Sequence, residues 1–105
     1  MPRIFIRTIT RPSTDVAWFT SATESDFTRE SRARFADTGK CDNPDSTLSE
    51  DGLTLTKTIT WATSEDYEEF QAFVISSTLD KEDVIDCETY EHENGIIRQV
   101  VEVGE

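Results

Sequence analysis

The chain has 105 residues, 35% of them apolar and 30% charged, and its 22 acids against 10 bases give a net charge of -12. One domain fits this length and two independent cores do not. No stretch approaches the roughly 18 consecutive apolar residues of a membrane span. The start, Met1-Pro2-Arg3-Ile4-Phe5, lacks the apolar run of a secretory signal. These features predict a water-soluble cytoplasmic domain with no membrane partner and, lacking a basic footprint, no direct nucleic-acid partner. Cys41 and Cys87 are too few for a disulfide framework and too isolated for a zinc knuckle.

Ile4, Phe5, Ile6 and Ile9 lie in a run rich in β-branched residues, interleaved with Arg3, Arg7 and Arg11. Pro12 closes this first predicted strand. Val16, Trp18 and Phe19 then anchor a surface segment. A helix opening at Thr23 or Ser25 carries Phe27, Ser31 and Phe35 inward. It ends at Gly39, which suits the left-handed position after a helix. Lys40 to Asp51 is polar, contains Asn43-Pro44, and is the expected mobile loop (residues 40–51). Thr47–Ser49 forms a short strand within it, before the turn Glu50-Asp51-Gly52.

Leu53, Leu55, Ile59 and Trp61 alternate with Thr54, Thr56, Thr58 and Thr60, and only Lys57 interrupts the apolar side. Period two in β-favouring residues predicts a strand over Leu53–Ala62 with one buried face. The period then changes. Thr63 and Ser64 can cap a helix whose first turn holds Glu65 and Asp66, and Tyr67, Phe70, Phe73 and Val74 recur at helical spacing as core. Beyond residue 80, Val84, Ile85, Cys87 and Tyr90 precede Asn94-Gly95, and Ile96, Ile97, Val100, Val101 and Val103 come after it. Asn-Gly between such runs predicts a hairpin with Glu91 facing Arg98. The competing reading is a helix over 81–93 with Asn94-Gly95 as its C-cap. In either case the chain ends in a strand.

The resulting order, β-α-β-β-α-β, predicts a single acidic α+β domain over 1–105. Its expected form is the ferredoxin-like sandwich, an antiparallel sheet with two helices on one face. Dimeric α/β-barrel proteins share this element order, which adds a homodimer to the expectations. RTITRP near the start, DTGK after the first helix, LTLTKTITWAT before an acidic helix and NGI near the end resemble short uncharacterised proteins of marine tailed bacteriophages. That resemblance implies a phage accessory protein acting in the infected bacterial cytoplasm. It brings no catalytic residues with it.

Charge is unevenly distributed. Residues 1–40 hold seven bases and five acids, a net of +2, whereas residues 41–105 hold three bases and seventeen acids, a net of -14. Three readings are open: a solvated acidic surface with arginines pairing across the fold, self-association of the arginine-bearing helix with the acidic half of a second copy, or mimicry directed at a basic, nucleic-acid-binding host protein.

Catalytic and metal constellations fit poorly. An EF-hand loop starting at Asp80 would put Ile85 where glycine is required. Cys87 and His92 do not align as a thiolate–imidazole pair on a strand or a helix, so Cys87 reads as a small core residue. Pro2 with Arg11 resembles the start of small tautomerases, without their companion residues. The four glycines form no phosphate-binding loop.

The leading expectation is therefore a non-catalytic accessory domain, acting by protein–protein contact as a homodimer or on a host protein, with no cofactor or metal. Its contact surface would comprise Arg29, Arg32 and Arg34 with Trp18 and Phe19 as apolar anchors, although a staple packing over the core is the favoured reading of those two aromatics. The alternative is a small-molecule enzyme or binder with a pocket between sheet and helices near Trp61 and Tyr67.

Overall fold

A computed structural model describes residues 2–103. Strands β1 (Arg3–Thr10), β2 (Thr47–Leu48), β3 (Thr54–Trp61) and β4 (Ile97–Val103) form one sheet in the order β2-β3-β1-β4, with all neighbours antiparallel. Helices α1 (Asp26–Ser31), α2 (Ser64–Ser76) and α3 (Glu82–Glu93) complete an α+β domain. Among the described residues no helix is long and apolar enough to cross a membrane.

The register divides the sheet's side chains sharply. Phe5 lies opposite Ile59, Arg7 opposite Lys57 and Val100, and Ile9 opposite Leu55 and Arg98, all on the helix-covered face. The alternate residues occupy the other face: Ile4, Ile6, Thr8 and Thr10 of β1, Thr54, Thr56, Thr58 and Thr60 of β3, and Ile97, Gln99, Val101 and Val103 of β4. None of these is charged. Ile97 and Val101 there are each 59% exposed.

Residues 82–93 are helical, which corrects the predicted hairpin. The expected β-α-β-β-α-β order becomes β-α-β-β-α-α-β, with three helices in place of two. The Asp80 carboxylate accepts from the Glu82 N–H, and Glu82 and Asp83 sit in the first turn, where the helix dipole favours acids. Asn94-Gly95 ends α3 rather than turning a hairpin. The Ile96 N–H donates to the Glu91 carbonyl at 2.9 Å and the Gly95 N–H to that of His92 at 3.5 Å, the double bond pattern of a glycine-terminated helix. Gly95 has φ +67° and Asn94 -105°, whereas an Asn-Gly hairpin turn needs both positive.

The first helix opens at Ser25, whose hydroxyl accepts from the Thr28 N–H. It then widens into a π-helical turn over Arg32–Ala36, marked by the Asp37 N–H reaching back to the Arg32 carbonyl at 2.9 Å. The turn drives Phe35 into the core, where it is only 2% exposed. Phe35 meets Trp61 and Phe70 edge-on at 5.8 and 5.3 Å, and its carbonyl accepts from the N–H groups of Lys40 and Cys41. Thr63 caps α2 through Asp66, as the sequence predicts.

The segment after the helix, expected as a loop, runs along β3. The Asp42 N–H donates to the Thr60 carbonyl, the Asp42 carboxylate accepts from the Thr60 N–H, and the Ala62 N–H donates to the Lys40 carbonyl. The radius of gyration, 14.6 Å, exceeds the roughly 13 Å typical of this length. The helices stand away from part of the sheet.

Asp83 joins α3 to the start of α1, accepting from the Ser25 N–H at 3.0 Å, the Ser25 hydroxyl at 2.5 Å and the Val84 N–H at 2.8 Å. Burial pushes the Asp83 pKa up, but the bonds from Ser25, Thr28 and Val84 outweigh it and hold the carboxyl below its ordinary value. A depressed carboxylate stabilises the fold fully above its unfolded pKa, about 3.9, and the contribution fades as pH falls through the folded value. Asp83→Asn is expected to melt below the wild type at neutral pH. The gap should close as pH drops below about 4, which thermal melts at stepped pH will show.

Candidate functional site

The space left between helices and sheet is a cleft of about 530 Å³. Its floor is the helix-facing side of the sheet: Phe5 and Arg7 from β1, Ile59 and Trp61 from β3, and Val100 from β4. One wall is α1 and the π turn, through Phe27, Thr28, Ser31, Arg32, Phe35 and Ala36. Tyr67 and Phe70 of α2 close one end, and Cys41, Asp42 and Asn43 form the rim beside β3.

The aromatic walls are mutually fixed. Phe5 stacks on Tyr67 at 4.5 Å between centroids, Trp61 lies 5.0 Å from Phe70 and 5.7 Å from Tyr67, and the Arg3 guanidinium sits 4.4 Å over the Tyr67 ring. Trp61 and Tyr67, singled out from the sequence as pocket residues, therefore both line the cleft. Their positions follow from the end of the β3 alternation and the first inward turn of α2.

Arg7 is the residue that sequence reasoning missed. Its phase on β1, shared with Phe5 and Ile9, puts a guanidinium on the burying face, and that phase was the available signal. Its Nε is buried without a hydrogen-bond partner among the described residues. Burial, reinforced by the nearby Arg98, holds the Arg7 pKa below the ordinary guanidinium value, yet the group stays cationic at neutral pH. Opposite it, Lys57 donates to the neutral Asn43 Oδ1 at 2.6 Å, and burial followed by the Arg7 charge lowers its pKa. The acid closest to serving Arg7 is already engaged: buried Glu91 accepts a two-pronged bond from Arg98 at 3.0 and 2.9 Å. Glu91 and Arg98 meet, as the sequence suggested, but from helix to strand. Cys41 and Cys87 are free and half-buried, and burial pushes both thiols up and away from reactivity.

The predicted contact surface is differently placed. Arg29, Arg32 and Arg34 are exposed, and each bonds an acid close by: Arg29 pairs with Asp26, Arg32 with Glu24 and Arg34 with Glu30. Only Arg32 reaches the cleft. Trp18 lies under the Arg11 guanidinium at 4.4 Å, and Phe19 packs on Tyr90 at 5.7 Å, whose hydroxyl donates to the Ala17 carbonyl. These contacts tie the segment before α1 to α3. Arg11 itself is engaged by the Gly52 and Val16 carbonyls.

No family model and no curated protein matches the sequence. Among solved structures, the "X-ray crystal structure of a putative amidohydrolase/peptidase from Burkholderia cenocepacia" is similar over 98% of this chain at 12% identity, with a TM-score of 0.40. The chain spans 27% of that protein's length. At this level the likeness assigns neither fold nor activity.

Glu91 and Arg98 keep a second uncompensated cation out of the neighbourhood of Arg7. Glu91→Gln is expected to cost about 1–3 kcal/mol in denaturant unfolding, because it strands a half-buried guanidinium. The double change Glu91→Gln with Arg98→Met should recover most of the loss, a coupling that a double-mutant cycle measures.

Proposed function

We propose that this protein is a small-molecule binding domain whose ligand enters the cleft between the sheet and the first two helices. The supporting observation is the 530 Å³ aromatic-walled cavity itself, lying where a closed core would hold packed side chains. In this reading the fold is a ferredoxin-like sandwich elaborated by α3, and its setting is that of a phage accessory protein in the host cytoplasm. Nile red, an uncharged planar dye, tests the cleft directly. Its emission is expected to shift to the blue on addition of the protein. Val100→Trp fills the cleft from an exposed edge-strand position and should abolish the shift while leaving the melting temperature intact. No shift, or a shift unchanged in Val100→Trp, would remove this reading.

A second reading, self-association as a homodimer, draws support from the uncharged open face of the sheet. In a two-fold contact the residues at the axis meet their own copies, so a charge there would face a like charge. On a chain of net charge -12, sheet-to-sheet pairing also keeps the acidic helices of the two copies apart. The arginine-to-acid alternative has less to work with, since Arg29, Arg32 and Arg34 are paired within their own chain. Light scattering should give twice the chain mass at about 50 mM salt and no less dimer at about 500 mM, because screening relieves repulsion between the copies. Ile6→Lys with Val101→Lys should return the monomer. A monomer in the unaltered protein at both salts, or a dimer lost at high salt, would overturn sheet pairing.

A further inference from the structure

The chain carries more than two acids for every base, so each base has ample choice of partner. Among the described residues six bases form ion pairs: Arg3, Arg29, Arg32, Arg34, Lys40 and Arg98. Arg11 and Lys81 donate to backbone carbonyls, and Lys57 donates to Asn43. Arg7 is the tenth. Among the described residues its guanidinium has no acceptor, and its Nε is sealed from solvent. Arg7 as a whole is half-buried, and sealing its Nε without an acceptor carries a desolvation cost that a substitution to Met or Leu would relieve.

Arg7 sits in the central strand β1, directly across from Lys57 of β3, so two cations oppose each other on one face of the sheet. Opposed like charges destabilise a strand pair unless an anion lies near both. Arg7 lines the cleft, whose other residues are mostly aromatic or aliphatic, with the Thr28 and Ser31 hydroxyls and Arg32 on the facing wall and Asp42 and Asn43 on the rim beside β3. A guanidinium offers two parallel donors to a planar oxyanion. Flat apolar walls favour a ring. The acidic exterior repels polyanions, which restricts the ligand to a small body of low charge.

We infer that the cleft is a receptor for an aryl carboxylate, with the carboxylate held by Arg7 and the ring lying among Phe5, Trp61, Tyr67 and Phe70. This rests on the small-molecule reading above and assigns its ligand class. The ligand's negative charge supplies the acceptor that the chain withholds from Arg7, and it separates Arg7 from Lys57 electrostatically.

Two calorimetric titrations of the unaltered protein test this, one with 1-naphthoate and one with the uncharged 1-naphthalenemethanol. The naphthoate is expected to bind about ten- to hundredfold tighter, the effect of one charge-assisted, forked contact. Arg7→Met should erase that preference while keeping the weaker affinity for the alcohol, and it should melt no lower than the wild type. Arg7→Lys should retain only part of it, since the charge remains and the fork is lost. Equal binding of both probes would overturn the carboxylate assignment and leave the cleft as a neutral-ligand site. Binding of neither probe up to about 1 mM, a free energy of some -4 kcal/mol, would overturn the cleft reading itself. A preference surviving in Arg7→Met would show that Arg7 is not the receptor. The two wild-type titrations decide the ligand class even if a variant fails to fold.

Discussion

The side-chain phase of the sheet governs the rest of the molecule. Every charged residue of β1, β3 and β4 falls on the face that the helices cover: Arg3, Arg7, Lys57, Arg98 and Glu102. Helices cannot close a dry contact over Arg7 and Lys57, because desolvating two adjacent cations costs more than the apolar contact returns. The aromatic core therefore gathers at one end, around Phe5, Phe35 and Trp61, while Ile9 and Ile96 are buried toward the other end of β1. The cleft opens beside the aromatic end, over Arg7 and Val100. Its existence is a consequence of charge placement, not of a missing side chain.

Where periodicity was strong, the sequence could be read closely. The threonine alternation of β3, the Thr63 cap and the aromatic stripe of α2 each have one physical interpretation, and the structure has them within a residue of the expected bounds. The start of α1 at Ser25 and the inward Phe27 and Phe35 were legible for the same reason. Residues 81–93 were ambiguous because Asn-Gly serves two purposes, a tight hairpin and the end of a helix. The deciding contacts are remote in sequence: Tyr90 to Ala17, and Asp83 to Ser25. Such contacts leave no periodic trace.

The functional residues divide in the same way. Trp61 and Tyr67 were legible as pocket-lining because an alternation ends at one and a helix begins before the other. The arginines of the first helix drew attention through their density, yet their carboxylate partners lie on the same helix or just before it. Exposed pairs of this kind contribute about 0–1 kcal/mol each and mainly neutralise the local field. Arg7 looked like one more interleaved arginine. Only pairing with β3 and β4 reveals that its neighbours supply no acceptor.

The π turn at Arg32–Ala36 has a bearing on how this chain can change. A π turn holds one residue more than the regular helical turn it replaces. Loss of one residue there would restore ordinary winding and leave the chain on either side in nearly the same orientation. What would be lost is the local widening from which Phe35 enters the core. Shortening by one codon should therefore be better tolerated here than within α2, where the same loss would rotate everything beyond it by about 100°. The irregularity acts as slack in the fold, absorbing a change in length that regular winding would pass on.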